Sequence, residues 1–248
     1  MKIATGNVNS IRQRFQHVSD WLKSNACDVL LLQETKVQDE NFPFEFFQDL
    51  GFNVAAHGQK TFNGVAILSK FPIEDVIKGL PTFEEDPQAR YIEVFTGGVR
   101  VASVYVPNGQ SVGSEKYAYK LVFFERLRQH LSGQLSFGEK FVVGGDFNVA
   151  PADIDVHDPK VWQGEILCSL EERLAFKSVL SAGFGDAFRL KYPTKSEFSW
   201  WDYRSGGFAR NDGLRIDHLL LSHQAMDALE EVGIDIFPRS LDKPSDHA

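Results

Sequence analysis

Cysteine is scarce in this sequence, which has only two among 248 residues, Cys27 and Cys168. Each lies in or beside an apolar segment, so we expect buried free thiols rather than a disulfide or a cysteine-ligated metal site. No apolar run approaches the length of a membrane span, and the start, Met1–Asn7, turns polar too early for a secretory signal. These absences predict a cytoplasmic protein that has no membrane partner.

Glycine-rich nucleotide-binding motifs, internal repeats and interdomain linkers are absent as well. Hydrophobic residues make up 43% of the chain, which is enough for a large core, so we expect one domain over residues 1–248. The formal net charge of -8 argues against a protein that holds nucleic acid by its overall charge. A local basic face is compatible with that charge, and part of the acidity can serve to bind a hard cation.

Apolar runs that end in polar side chains are what the sequence does contain. The clearest is Val142–Asn148, in which an apolar strand ends in Gly-Gly-Asp-Phe-Asn. Because side chains alternate along a strand, Asp146 and Asn148 are predicted to share one face while Phe147 packs on the other. The two glycines leave room for a substrate or for another backbone to approach.

The same arrangement recurs along the chain. Each such residue alone is more often a solvated or ordinary core residue than a ligand. Together, carboxylates and amides are oxygen ligands that suit a hard cation, and a histidine beside them can contact an anion. The pattern therefore favours metal-assisted phosphodiester hydrolysis. The residues are Asn7, Glu34, Tyr105, Asp146 with Asn148, Asp217, and Asp246 with His247.

Helical periodicity predicts three longer helices, at Ile11–Ser24, Lys116–Leu131 and Glu171–Ala182, and a short one at Phe42–Leu50. The apolar runs between residues 52 and 106 predict a meander of antiparallel strands. The loop from residue 151 to residue 168 is long enough to suggest a function at the surface.

The segment Ser196–Gly213 mixes aromatic residues with arginines and flexible glycines. Such a mixture suits stacking on bases or sugars beside phosphate contacts. The alternative is a folded hairpin whose aromatic residues belong to the core, and we favour substrate contact for the group as a whole. The aromatic residues are Phe198, Trp200, Trp201, Tyr203 and Phe208.

Six segments closely resemble the exonuclease III family of abasic-site endonucleases. They occur in the family's order over essentially the whole chain, and such a set in register is far more specific than any one motif. The Phe-Ser-Trp-x-Asp-Tyr-Arg-Ser and Gly-Leu-Arg-Ile-Asp segments indicate the bacterial branch rather than the wider superfamily. The segments are Asn7–Asn9, Leu32–Lys36, Gly144–Asn148, Phe198–Ser205, Gly213–Asp217 and Ser245–His247.

The resemblance implies a two-sheet α/β sandwich flanked by helices, as in DNase I-like proteins, with the site at one end. It implies that Glu34 is the principal Mg²⁺ ligand with Asn7 beside it, and that Mn²⁺ can substitute. The other residues that it places around the metal or its water are Asp146, Asn148, Asp246 and His247.

The resemblance also implies catalytic roles. Asp146 would activate water or protonate the leaving oxygen, and Asn148 would help to orient it. Asp217 would fix the ring of His247 and favour its charged form, which would face the phosphate. Tyr105 would donate a hydrogen bond to the phosphate.

The implied substrate is double-stranded DNA with abasic sites or free 3′ ends, hydrolysed by a monomeric repair enzyme 5′ to the lesion. Trp200, Leu214 and Ile216 match the family's pocket for a sugar that has lost its base. The sequence does not choose between incision at abasic sites and trimming of 3′ ends. The cations expected to contact the DNA backbone are Arg204, Arg210, Lys116 and Lys120.

Two other functions stay open. A phosphatase or lipid phosphodiesterase of the wider superfamily would keep the fold and metal, although the Trp200 region and the lack of a membrane-binding segment count against it. A DNA-binding protein without catalysis would predict loss of Glu34, Asp146 or His247, all of which are present. Family members usually continue past Asp-His-Ala with Pro-Val and a final strand, so either a tail beyond Ala248 is missing from this sequence or the last strand is absent, and its absence would leave His247 poorly anchored.

Overall fold

The computed structural model describes residues 1–248, apart from the side chain of Ser205. Its strands form two sheets, one of four strands and one of six. The first sheet contains β1 (Ile3–Asn7), β2 (Val29–Gln33), β3 (Asn53–His57) and β4 (Val65–Ser69). The second contains β5 (Ile73–Lys78), β6 (Tyr91–Thr96), β7 (Val99–Tyr105), β8 (Phe141–Asp146), β9 (Phe184–Asp186) and β10 (Asp217–Ser222).

Helices connect and cover the strands. They are α1 (Ile11–Ser24), α2 (Phe44–Asp49), α3 (Glu115–Gln134), α4 (Pro159–Trp162), α5 (Leu170–Ser181), α6 (Ala187–Lys191), α7 (Gly207–Arg210) and α8 (His223–Met226). The strand order is β1-β2-β4-β3 in the first sheet and β5-β6-β7-β8-β10-β9 in the second. The pairs β1–β2 and β7–β8 are parallel, and α1 and α3 supply the long crossovers that parallel neighbours require.

Successive side chains of a strand point alternately to the helices and to the opposite sheet, so both sets of side chains are apolar. Leu30 and Leu32 of β2 pack with α1 and α2, whereas Val29 and Leu31 face the second sheet. In the second sheet, Val143 belongs to the set that packs with α3 and α5, and its neighbours in sequence face the first sheet. Each sheet is therefore buried on both faces, which confirms the predicted sandwich with helices outside.

The predicted helices and strands lie where the structure has them along the chain, but the prediction did not always give the sheet that each strand joins. The strands between residues 52 and 106 pair antiparallel, yet β3 and β4 belong to one sheet while β6 and β7 belong to the other. The prediction missed β5, Ile-Glu-Asp-Val-Ile-Lys, because an exposed edge strand can carry charged side chains that mask its periodicity.

The sequence had suggested that Lys120 lies on the surface. In the structure it is completely buried against Glu172. The prediction that it contacts a nucleic-acid backbone is therefore wrong, because none of its atoms reaches solvent. Both cysteines are buried free thiols, as predicted. None of the helices in the described part of the chain is long and apolar enough to cross a membrane.

The two glycines before Asp146 make room for protein rather than for a substrate. A Cβ at Gly144 would lie 2.6 Å from Leu31 Cδ1 of the opposite sheet. A Cβ at Gly145 would lie 1.9 Å from the carbonyl oxygen of Val104 on the neighbouring strand. These close approaches let the sheets pack tightly beneath the end of β8.

Candidate active site

Strand register in the second sheet brings three polar residues side by side. Tyr105 at the end of β7 lies opposite Asp146 at the end of β8, and Asp217 at the start of β10 lies opposite Asp146 from the other side. The predicted burial of Phe147 on the far face is confirmed, since it packs in the core below α3 and α5. Three neighbouring strands thus deliver their polar ends to one place.

The first sheet contributes Asn7 and Glu34, at the ends of the parallel strands β1 and β2. The Asn7 side chain donates to Glu34 Oε1 at 2.9 Å and to Asp146 Oδ2 at 3.0 Å. One amide group therefore joins the carboxylates of two sheets. The structure brings these three predicted site residues together.

His247 lies beside them and is almost completely buried. Its Nδ1–H donates to Asp217 Oδ2 at 2.8 Å, and its Nε2 lies 3.7 Å from Asp146 Oδ2. Burial lowers the pKa of the imidazole, but the Asp217 and Asp146 carboxylates outweigh it and raise the pKa of His247 to about 10. The ring is therefore a cation at neutral pH, held in one orientation by Asp217.

The segment that carries His247 is firmly anchored. Asp246 accepts from Asn9 Nδ2 at 2.9 Å and from Trp200 Nε1 at 3.0 Å. Ser245 Oγ donates to the Asn7 carbonyl oxygen at 2.6 Å. The expectation that an absent final strand would leave His247 poorly anchored is therefore wrong, because the side chains of Asn9 and Trp200 and the carbonyl oxygen of Asn7 hold this segment.

Burial and neighbouring charges also shift the pKa values of Asp146 and Tyr105. Burial, with the Asp217 and Glu34 carboxylates, raises the pKa of Asp146 to about 7, although the His247 cation opposes this. Burial and the carboxylates of Glu34 and Asp146 raise the pKa of Tyr105 well above its usual value. The Tyr105 phenol is therefore neutral and available as a hydrogen-bond donor.

The residues present fit a hard cation. Ligand atoms of Glu34, Asp146 and His247 lie within 4.8 Å of one another. The Glu34 and Asp146 carboxylates supply oxygen ligands of the kind that Mg²⁺ prefers, and Asn7 holds both of them through Nδ2 while its Oδ1 accepts from Asn9 N at 3.0 Å. His247 is held as a cation by Asp217, so the carboxylates are the better ligands in this state.

Two of the residues predicted to bind the metal lie to the side of the group formed by Glu34, Asp146 and His247. Asn148 donates its side-chain amide to the Val106 carbonyl oxygen at 2.9 Å and accepts from Asn108 Nδ2 at 3.1 Å. Its backbone N–H donates to Asp146 Oδ1 at 2.8 Å, so it positions that carboxylate directly. Asp246 is engaged by its two donors and does not belong to the compact acidic group among the described residues.

Lys36 is a site residue to which sequence reasoning gave no role. Its Nζ lies 2.9 Å from Glu34 Oε2 and also contacts Asn9 Oδ1. The available signal was its position two residues after Glu34, just past the end of β2. The ammonium group supplies positive charge beside the proposed metal carboxylate.

Left-handed backbone is concentrated around the site. Non-glycine residues with positive φ include Asn9 (42°), Glu34 (51°), Lys36 (56°) and Asn148 (50°). Each costs on the order of 1–3 kcal/mol unless the surroundings enforce it. Hydrogen bonds enforce it here, for example from Ser10 N to the Glu34 carbonyl oxygen at 2.8 Å.

Trp200 forms a half-buried platform next to the acidic group. Leu214 and Ile216 are completely buried beneath it, so they support the ring rather than present an open wall. Trp162 of α4 meets Trp200 edge to face, with ring centroids 6.5 Å apart. Sequence reasoning missed Trp162, although the long loop from residue 151 to residue 168 pointed to that region.

The aromatic segment divides into two groups. Phe198 and Trp201 are buried, and Trp201 Nε1 donates to Asn211 Oδ1 at 3.1 Å, so both belong to the core and cannot contact a substrate. Tyr203 is 50% exposed and Trp200 is partly exposed. The segment is not a hairpin, because a 3-10 turn at Arg204–Gly206 and α7 occupy its middle.

The remaining predicted cations lie on the surface. Arg204 is highly exposed and pairs with Asp202 at 2.8 Å. Arg210 pairs with Asp212 at 2.6 Å, and Lys116 is exposed at the start of α3. These three keep an accessible position for a polyanion, in contrast to Lys120.

Comparison with known proteins identifies the family. A family model described as the Endonuclease/Exonuclease/phosphatase family matches residues 4–247. The chain belongs to this family. Within it, the chain is 38% identical to exodeoxyribonuclease III of Haemophilus influenzae over 260 residues, covering 100% of this chain and 97% of the relative. The family resemblance inferred from the strand-end motifs is thereby confirmed, and the protein is a nuclease of the exonuclease III type.

Solved structures of this family superpose closely. The 3′ phosphatase NExo from Neisseria, bound to a product DNA hairpin, has a TM-score of 0.97 and 42% identity, covering 100% of this chain and 96% of that one. An AP endonuclease from Archaeoglobus fulgidus has a TM-score of 0.96 and 41% identity, with the same coverage. The DNase I-like fold class is therefore confirmed.

Proposed function

We propose that this protein is a DNA repair nuclease that hydrolyses the phosphodiester 5′ to abasic sites in double-stranded DNA and trims 3′ ends. The observation that carries the proposal is the Asn7 amide between Glu34 and Asp146, beside the Trp200 platform. Relatives named exodeoxyribonuclease III and AP endonuclease support the reaction class. We take residues 1–248 as one catalytic domain acting as a monomer in the cytoplasm, where bacterial DNA lies.

In the proposed reaction a water attacks the phosphorus and the bond to the 3′ oxygen of the upstream nucleotide breaks. Asp146 either accepts the proton of the attacking water or protonates the leaving oxygen, which becomes a 3′ hydroxyl, and the other proton is exchanged with solvent. Asn148 N–H keeps the carboxylate oriented for that transfer. The buried position of Asp146 between His247 and Glu34 supports this role.

The charge that develops on the phosphate is proposed to face two donors. His247, held as a cation by Asp217, presents Nε2 towards the space above Asp146. Tyr105 presents its neutral phenol from β7. Preorganised donors of this kind stabilise the transition state more than the ground state, because they are fixed before the charge appears.

Glu34 and Asp146, with Asn7, would hold Mg²⁺ or Mn²⁺. The bound ion would neutralise the developing charge on the phosphate oxygens. Asn148 would hold the Asp146 carboxylate through its backbone N–H, and Asp246 would support the metal or its water.

Substrate choice is proposed to depend on the Trp200 platform. A sugar without a base can lie against the ring, and unstacking costs least where the base is already lost. Leu214 and Ile216 fix the ring from below. Arg204, Arg210 and Lys116 would contact the DNA backbone.

We propose trimming of 3′ ends as the second activity of the same site. The Neisseria relative with 42% identity is described both as a 3′ phosphatase and as a 3′-5′ exonuclease. The balance between the two activities is an outcome of the test below.

The test uses labelled duplexes that carry one abasic analogue, a recessed 3′ hydroxyl or a 3′ phosphate, with an undamaged duplex as reference. Wild type, Asp146→Asn and a control, Asp235→Asn, are compared with Mg²⁺ and with chelator. Asp235 accepts an indole N–H from Trp21 and lies outside the acidic group, so its variant should keep full activity.

Metal-dependent incision 5′ to the analogue, lost in Asp146→Asn, is the expected result. Release of 3′ nucleotides or phosphate without incision would assign the 3′-end activity alone. Hydrolysis of none of these duplexes would contradict the proposal and favour a phosphodiesterase of the family that acts on another substrate.

A further inference from the structure

A buried ammonium–carboxylate pair, Lys120 of α3 and Glu172 of α5, lies behind the candidate active site. Both side chains are completely buried, and Nζ contacts Oε1. Removing two charges from water carries a large desolvation cost, so a buried pair by itself is weak evidence for stability. Its contacts point to another role.

Lys120 uses all three of its N–H donors. Besides Glu172, Nζ donates to the carbonyl oxygen of Asn148 at 2.6 Å and to that of Asn108 at 3.1 Å. The side chains of these two asparagines hydrogen-bond to each other at 3.1 Å. One ammonium group thus fixes the backbones of two loops at the residues whose amides meet beside Asp146.

Glu172 holds the opposite wall of the site. Its Oε1 also accepts from Leu167 N at 3.1 Å, and its Oε2 accepts from Ser169 N at 3.0 Å, within the capping box that begins α5. Leu167 has a φ of 73°, a left-handed conformation that is rare for a bulky residue. Its buried side chain packs with Leu214 beneath Trp200.

The loop that carries Asn108 is shaped to lie on this pair. Gly109 has a φ of 92°, and a Cβ there would lie 3.1 Å from Ile166 Cδ1 and 3.2 Å from Lys120 Cδ. Only glycine combines that conformation with so close an approach. The loop, the α5 cap and the lysine therefore form one packed unit.

We propose that Lys120 and Glu172 are positioning residues. Through their ion pair they fix the position of Asn148 and that of Leu167, which supports Trp200 from below. Neither residue touches a substrate. The inference rests on the proposed function, because it assigns the pair to the reaction through Asn148 and Trp200.

The test compares Lys120→Met with a matched control, Arg100→Met. Arg100 is also a largely buried cation that pairs with a buried carboxylate, Glu93, but it lies near the start of β7, away from Tyr105 at the other end. Both variants remove a cation from a buried carboxylate, although Glu93 keeps its hydrogen bonds with Tyr91 and His130, so both should lose stability. Assays are run at a temperature where both are folded.

In Lys120→Met we expect kcat on the abasic duplex to fall by about 10- to 100-fold, because small misplacements of positioning groups cost that much, while KM changes little. Arg100→Met should keep the wild-type kcat. In NMR spectra of the metal-free protein, the side-chain amide signals of Asn108 and Asn148 should move in the first variant and stay in the second. An unchanged kcat with unmoved signals, or equal losses of kcat in both variants, would overturn the inference.

If Lys120→Met does not fold, Lys120→Met/Glu172→Leu takes its place, since it leaves no unpaired buried charge. We expect its stability to recover while kcat stays low. Recovery of kcat along with stability would show a merely structural pair and overturn the inference. Should wild type cleave none of the duplexes, the proposed function fails, and the asparagine signals still decide whether the pair positions those loops.

Discussion

The side chain of Asn7 donates to the Asp146 carboxylate at 3.0 Å, although the two residues end strands of different sheets. The same amide donates to Glu34 at 2.9 Å. The distance between the two carboxylates is therefore set by one short side chain at the junction of the sheets. Any change at Asn7 should affect both carboxylates together.

Replacing Asn7 with alanine removes both donors. We expect kcat on the abasic duplex to fall by about 100-fold, because misplacement of catalytic groups by about 1 Å costs that much. The free energy of unfolding should decrease by about 1–3 kcal/mol, since buried acceptors lose their donor. Urea unfolding and steady-state kinetics measure the two effects.

The control for that variant is Asn53→Ala. Its amide donates to the carbonyl oxygens of Ser69 and Phe71 at the opposite end of the first sheet. This variant should lose stability and keep kcat. A similar loss of kcat in both variants would mean that the Asn7 effect is not local.

If Mg²⁺ binds the folded acidic group and not the unfolded chain, as proposed, it should stabilise the protein. At 100 times the dissociation constant the gain is about 2.7 kcal/mol, which thermal unfolding detects as a higher Tm. Glu34→Gln should lose this gain, whereas Glu45→Gln, on the exposed side of α2, should keep it. Equal Mg²⁺ effects in both variants would place the ion elsewhere.

Replacing Trp200 with alanine should reduce the preference for abasic over undamaged DNA. Loss of the ring removes apolar contact with the sugar, which we take as about 1–3 kcal/mol, so the ratio of kcat/KM for the two duplexes should fall by about 5- to 150-fold. Trp200→Phe keeps a ring but loses the N–H that binds Asp246, and it should retain most of the preference. Loss of preference in the phenylalanine variant would assign the effect to Asp246 instead.

Arg204→Ala should weaken DNA binding mainly at low salt. One lost phosphate contact reduces the magnitude of the negative slope of log K against log salt by about 0.9. Fluorescence anisotropy with Asp146→Asn as the background avoids cleavage during the titration. Arg128→Ala, which breaks an exposed pair with Glu125 on α3, should leave the slope unchanged.

Acid should destabilise the protein through His218. Burial and the Arg215 cation lower the pKa of His218 to about 4, and its Nε2–H donates to the Val149 carbonyl oxygen at 2.9 Å. Because the unfolded histidine takes up its proton near pH 6.5, the contribution of His218 to stability should be constant above that pH. Below it, stability should fall towards pH 4, by up to about 3 kcal/mol from this group.

The measurement is urea unfolding at several pH values. His218→Gln keeps a donor and an acceptor but cannot titrate. In this variant the free energy of unfolding should depend much less on pH between pH 6.5 and pH 4. His223→Gln, at an exposed position, should retain this pH dependence. An unchanged slope in His218→Gln would show that other groups govern the acid sensitivity.

Local patterns in the sequence determined much of this protein. Helical periodicity placed α1 and α3, and apolar runs placed β2 and β8 with their polar ends. Alternation predicted that Phe147 packs away from Asp146. These features depend on the geometry of a single helix or strand, and neighbouring residues encode that geometry directly.

Tertiary structure alone decided which sheet each strand joins and which polar residues meet. Nothing near Lys120 in sequence shows that Glu172 and two loop carbonyl oxygens surround it. Nothing in the aromatic segment shows that Trp201 is buried while Trp200 remains accessible. The physical reason is that periodicity specifies a buried face but not its partner, and burial, pKa and hydrogen bonding depend on the partner.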